Sequence, residues 1–158
     1  MSLQKFCQRS VTTVAPQQTV FEACQLLKEN NVGCLVVTAG NTLRGIVTDR
    51  DITLRVAGEG RDPSTTTVQE IMTPDPAHIN VNKTVRDLTS LMHYHQVRRV
   101  PIVDETSRVI GVVTLDDLIM LLGEEWADLE QGVLGAWQQA EADLTEVRPP
   151  FGWLLSSF

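Results

Sequence analysis

Gly45-Ile46-Val47-Thr48-Asp49-Arg50-Asp51 decides the fold because it occurs twice. Gly111-Val112-Val113-Thr114-Leu115-Asp116-Asp117 repeats it 66 residues later. Further out, Thr19-Val20 matches Thr84-Val85 at a separation of 65 residues. The one-residue difference falls in a turn, Ala39-Gly40-Asn41-Thr42 against Asp104-Glu105-Thr106-Ser107-Arg108, where length changes are tolerated. Each copy is one supersecondary unit, too small to be stable alone. Two copies bury their open sheet faces against each other.

Both copies read alike. A short strand opens each, at 11–14 and 77–81. An amphipathic helix follows, with Val20, Ala23, Cys24 and Leu27 in the first copy and Val85, Leu88, Leu91 and Met92 in the second at helical spacing. Thr19 and Thr84 stand where N-caps belong. Next comes a hairpin, 34–38 with 43–47 and then 99–103 with 109–113. Its strands are β-branched and nearly continuously apolar, which predicts burial on both faces. A second helix closes each copy, 49–57 and 115–122, with Gly58 and Gly123 placed as C-terminal caps. The Gly-, Pro- and Thr-rich stretch 58–67 is a loop. Residues 68–72 form a short helix, and Thr73-Pro74-Asp75-Pro76 stops it. The fold class is α/β (α+β), two pseudo-symmetric repeats of a small sheet on two helices, sheets facing each other, plus a C-terminal helical tail. The divisions are 9–58, a linker at 59–73, 74–122, and a helix with an apolar tail at 123–158.

Composition narrows the partners. The 158 residues carry 20 Asp and Glu against 13 Lys and Arg, a formal charge of −7 that argues against nucleic acid. The three cysteines, Cys7, Cys24 and Cys34, form no Cys-x-x-Cys pair, which fits free thiols in a reducing compartment. No apolar run approaches the roughly 20 residues of a membrane span, and Met1-Ser2-Leu3-Gln4-Lys5 lacks a signal core. A cytoplasmic protein without membrane insertion is expected. No Ser-His-Asp set, metal cluster, Walker loop or activated thiol is visible, so no enzyme is expected. His93 and His95 point to different helix faces, and no metal is expected.

Thr48 and Thr114 stand where a strand ends and a helix begins. Unpaired N–H groups at a helix start attract phosphate, and a threonine hydroxyl can donate to it. Asp51 and Asp117 follow three residues on, where a carboxylate can accept from both ribose hydroxyls. Thr-x-x-Asp is equally the spacing of a capping box, in which both side chains bond only to backbone. Spacing alone leaves both readings open. Arg50, beside Asp51, is either a phosphate ligand or an exposed salt-bridge partner.

The two Gly-apolar-apolar-Thr-x-x-Asp segments, with Val100-Pro101-Ile102-Val103-Asp104 ahead of the second, resemble tandem CBS domains, the cystathionine β-synthase-type repeats. The resemblance covers roughly residues 9 to 122. It implies a Bateman module: a non-catalytic regulatory pair that binds an adenine nucleotide or adenosine-containing cofactor between its repeats and signals to a partner or within a homodimer. AMP, ADP and ATP rank ahead of S-adenosylmethionine and NAD, and no catalytic cofactor is required. It implies nucleotide contacts for Thr48, Asp51, Thr114 and Asp117. Arg98 and Arg99 would reach phosphates, and Thr13 and His78 would line the base pocket. Gly33 and Cys34 stand opposite Arg98 and Arg99 in the first copy, so the two clefts should be unequal. The alternative is a constitutive dimerisation scaffold with empty clefts.

Beyond the repeats, Trp126, Leu129, Val133, Ala136 and Ala140 keep a three–four spacing flanked by acidic residues. Gly132 and Gly135 weaken this helix, and Val147-Arg148-Pro149-Pro150 ends it ahead of an apolar terminus. The tail either folds back or offers a contact for a dimer or a regulated protein partner.

Overall fold

The computed structural model describes residues 3–6 and 11–146, and gives the backbone alone for 5, 6, 125, 137 and 140–146. It divides into two compact units at the Leu115/Asp116 boundary.

The first unit holds both hairpins. Strand β1 (Thr13–Val14) runs parallel to β2 (Cys34–Ala39), which pairs antiparallel with β3 (Thr42–Thr48). Helix α1 (Val20–Asn30) connects β1 to β2. The second copy repeats this: β5 (Ile79–Asn80) beside β6 (Arg99–Val103), β6 against β7 (Val109–Thr114), and helix α4 (Val85–His95) between them. Both hairpins shift register at the same place, between Val37 and Thr38 and between Ile102 and Val103. The duplication thus extends to a backbone irregularity.

The segment between the copies is built into the first. Helix α3 (Val68–Ile71) carries Val68 and Ile71 into a core with Val14, Val20, Ala23, Leu35, Val37, Val47 and Val56. Val68 N–H donates to Gln18 O and Val20 N–H to Thr66 O, both at 2.9 Å. Strand β4 (Thr73–Pro74) then adds to β3, giving the order β1-β2-β3-β4. It needs glycine beneath it: a Cβ on Gly45 would stand 2.6 Å from Met72 Sδ and 3.0 Å from Thr73 O.

The second sheet has the order β5-β6-β7 and a core of Ile79, Leu88, Met92, Val100, Ile102, Val103 and Val113. Beside β7 lies the 3-10 turn Leu3–Phe6, with Leu3 fully buried. The copies meet through their hairpin turns: Thr42 bridges Arg108, and Val109 N–H donates to Asn41 O at 2.9 Å.

Some expectations change. Strands β2 and β6 are buried nearly throughout, but β3 and β7 alternate, because their outer residues lack a full second cover. Helix α2 (Asp49–Ile52) widens into a π-helical turn, Thr53–Ala57, which Gly58 caps as expected, though in the right-handed helical region at φ −66°. The left-handed caps are Asn31 and Gln96, ending α1 and α4. Gly123 caps nothing, because helix α5 runs unbroken from Leu115 to Glu146 through all three of its glycines. Three interior helix glycines cost about 3 kcal/mol, which a run this rich in Leu, Ala, Glu and Gln withstands. The apolar terminus, 147–158, lies outside the described residues, as does Cys7.

Candidate functional site

Thr48 closes β3 and caps α2. Its amide donates to Asp51 Oδ2 at 2.9 Å and its hydroxyl to the same oxygen at 2.7 Å. Asp51 N–H donates back to Thr48 Oγ1 at 3.2 Å. The capping box is therefore formed, and Thr48's single hydroxyl proton is already committed. Asp51 Oδ1 remains, with Arg55 Nη2 3.6 Å away. Arg55 is partly exposed and also donates to Ile71 O, so this ion pair holds the carboxylate only weakly.

Thr-x-x-acid is this chain's general way of starting a helix. Thr19 with Glu22 and Thr84 with Asp87 make the same reciprocal bonds, and the amide and hydroxyl of Thr67 donate likewise to Glu70. Those backbone donors hold Glu22, Glu70 and Asp87 below the usual carboxylate range. What sets Thr48 and Asp51 apart is therefore their surroundings. Both are half-buried, and a residue of the second copy comes up beside Gly33, whose carbonyl bonds the first amide of their helix.

Arg99 makes that reach. It opens β6, is half-buried, and pairs in register with Thr114. A Cβ on Gly33 would stand 3.1 Å from Arg99 Nη2 and 3.4 Å from Asp49 Oδ2. Gly33 O accepts from Asp49 N–H at 3.3 Å, and the next residue, Cys34, pairs with Thr48. A cation of the second copy thus stands at the helix start of the first, in space left by a missing side chain. Gly33 and Asp49 were absent from the expected site. The available signal was the alignment itself, which sets Gly33 against Arg98.

The other candidates disperse. Arg50 is exposed, its amide donating to Asp49 Oδ1 at 2.8 Å. Thr13 is exposed on β1, separated from β3 by β2. Arg98 is exposed, and its carbonyl accepts Leu115 N–H at 2.8 Å. His78 lies just before β5 with Nδ1 3.0 Å from Pro76 O. It borders a separate hollow of about 210 Å³ with Thr42, Leu43, Asp75, Val103 and Ser107. Asp75 and Ser107 both have positive φ there, at 42° and 62°. Thr114 closes β7 in the first unit, and Asp117 lies in the first turn of α5 in the second.

Among the described residues no three His, Cys, Asp or Glu side chains gather to hold a metal. Cys24 is a free thiol, and burial pushes it up, away from thiolate reactivity. No described helix is long and apolar enough to cross a membrane.

The profile described as CBS domain matches residues 3–58 and 68–124. The chain is 44% identical over 108 residues to CBS domain-containing protein YhcV of Bacillus subtilis, covering 68% of this chain and 76% of that one. It is 34% identical over 115 residues to Hypoxic response protein 1 of Mycobacterium tuberculosis, covering 72% and 80%. A crystal structure of Hypoxic Response Protein I with two coordinated zinc ions superposes with a TM-score of 0.68 at 30% identity, over 76% of this chain and 98% of that one. The CBS domain pair of protein MJ0100, in complex with 5′-methylthioadenosine and S-adenosyl-L-methionine, gives a TM-score of 0.69 at 26% identity, over 79% and 98%. With two profile matches, two matching sheets and a shared register shift, this chain belongs to the CBS domain family and carries a tandem CBS pair.

Proposed function

We propose that the chain is a non-catalytic regulatory module. It binds an adenosine-containing ligand between its CBS repeats and passes the bound state to a homodimer partner or a regulated protein. The observation that carries this reading is the approach of Arg99, across Gly33, to the helix start that holds Thr48 and Asp51. A ribose hydroxyl donates to Asp51 Oδ1, which the capping box leaves available. Phosphate or carboxylate lies toward Arg99 and the α2 amides, with Arg50 at the rim. Thr48 acts by holding Asp51. Donating its own proton to a phosphate would first require breaking a 2.7 Å bond. Thr114, which ends β7 as Thr48 ends β3, marks the second, unequal half-site. The MJ0100 pair, which holds two adenosine compounds, supports the ligand class. AMP, ADP and ATP lead here because a guanidinium favours phosphate.

The closed capping box favours a second reading, a constitutive scaffold whose Thr and Asp serve only as caps. Thermal shift separates the two. AMP, ADP, ATP, S-adenosylmethionine, 5′-methylthioadenosine and NAD are each titrated to millimolar concentration. A ligand at 100 times its Kd stabilises by about 2.7 kcal/mol. At least one should do so. A folded protein indifferent to all six is a scaffold.

A further inference from the structure

Helix α5 carries an exposed apolar stripe among acidic residues. Between Leu115 and Glu146 it has nine Asp and Glu residues and no Lys, Arg or His, so it is more negative than the whole chain at −7. Along it Ile119, Leu122, Trp126, Leu129 and Val133 alternate spacings of three and four. All five are exposed, Trp126 at 71% and none below 48%. Trp126, Leu129, Val133 and Leu134 line a hollow of about 300 Å³, with Glu130 at its edge.

A 3.5-residue apolar period is the seam of a helix–helix contact, suited to a helical partner more than to a strand or loop. Charge then selects the occupant. In this register the flanking positions 125 and 130 are both glutamate, and Glu124 and Asp128 lie on the same turns. A second copy would set carboxylate against carboxylate, and an anionic membrane would repel the helix. A basic helix meets both features at once.

We propose that α5 is the docking surface for a basic amphipathic helix of a partner protein. The partner's apolar face enters the Ile119–Val133 stripe while its Lys and Arg meet the carboxylates of α5. The proposal stands on α5 alone and holds whether or not the cleft takes a nucleotide.

The test uses the full chain and a synthetic helix of three heptads with Leu at the seam and Lys beside it. Controls are a scrambled peptide of the same composition and a version with Glu for Lys. All three tryptophans, 126, 137 and 153, lie beyond residue 115, so tryptophan emission reports on this region. The Leu/Lys peptide should shift emission to the blue in a 1:1 complex, at least tenfold more tightly than either control, and less tightly as salt rises. Leu129→Gln with Val133→Gln should abolish the complex without loss of helicity, because glutamine is a good helix former. Equal binding of a control overturns the proposal. So does a dimer, seen by sedimentation without peptide, that the double variant disperses, since the occupant is then a second copy. Emission already blue-shifted in the free monomer, and returned to the red by the double variant, assigns the stripe to residues 147–158 instead.

Discussion

Asp51 has two carboxylate oxygens, and its two roles divide between them. Oδ2 takes the amide and hydroxyl of Thr48, while Oδ1 faces Arg55 at 3.6 Å and is the acceptor left for a sugar. Asp51→Asn separates the roles, because an amide oxygen still accepts both cap bonds but an amide nitrogen cannot accept a hydroxyl. Ligand affinity measured by calorimetry should fall about tenfold to a hundredfold, as for a lost bond to a charged group, with the melting temperature nearly unchanged. Asp51→Ala should lose the same affinity and also about 1 kcal/mol of stability in urea, the ordinary loss on removing a cap. Arg99→Ala should weaken ADP and ATP more than adenosine, and equal losses for all three would deny it a phosphate role. The Thr-x-x-Asp spacing was legible in the sequence, as were both of its readings. The closeness of Arg99 to Gly33 was not. It depends on how two segments 66 residues apart meet in space, which no local pattern records.

Helix starts form the next scale, and they make stability depend on pH. Glu22, Glu70 and Asp87 are held below the usual carboxylate range chiefly by the backbone N–H of their capping threonines. The unfolded chain lacks those bonds and binds protons more readily. Stability from this source is therefore full above the unfolded carboxylate pKa and is lost as pH falls through the folded values. Thr84→Ala keeps the backbone N–H and removes only the hydroxyl, so it should raise the Asp87 titration midpoint part of the way toward the usual range, as seen by NMR. The acid slope of a pH–stability curve should become shallower. Strand β3 invites a different test. Gly45→Ala would press a methyl group on Met72 and the Thr73 carbonyl, so unfolding in urea should show a loss of about 1–3 kcal/mol, typical of overpacking. Helices α1 and α4 and both hairpins were legible because their periods repeat over many residues. Strand β4 was not: two residues, one of them proline, carry no period, and pairing with β3 makes them a strand. Gly123 misled for a related reason, since a glycine marks a helix end only when its neighbours cannot carry the helix past it.

At the scale of the whole molecule, duplication explains most of what the chain is. One unit written twice gives two sheets, two matching register shifts and turns that bond to each other, which is why the tandem pair was legible from two seven-residue segments. The copies have diverged where it matters. Glycine in the first faces arginine in the second, so the pair is asymmetric across its seam, and the clefts should differ in affinity rather than fill alike. Helix α5 carries its surface well past the end of the second copy, and its acidic, apolar-striped face suits a partner. The claim on which the rest turns is that one ligand spans the two repeats. The most direct measurement is a crystal structure of the chain saturated with the strongest adenosine ligand of the thermal panel. A ribose hydroxyl should lie within hydrogen-bond distance of Asp51 Oδ1, with the ligand's anionic group beside Arg99. A cleft still empty at saturation, or a ligand bound away from both residues, would contradict the account.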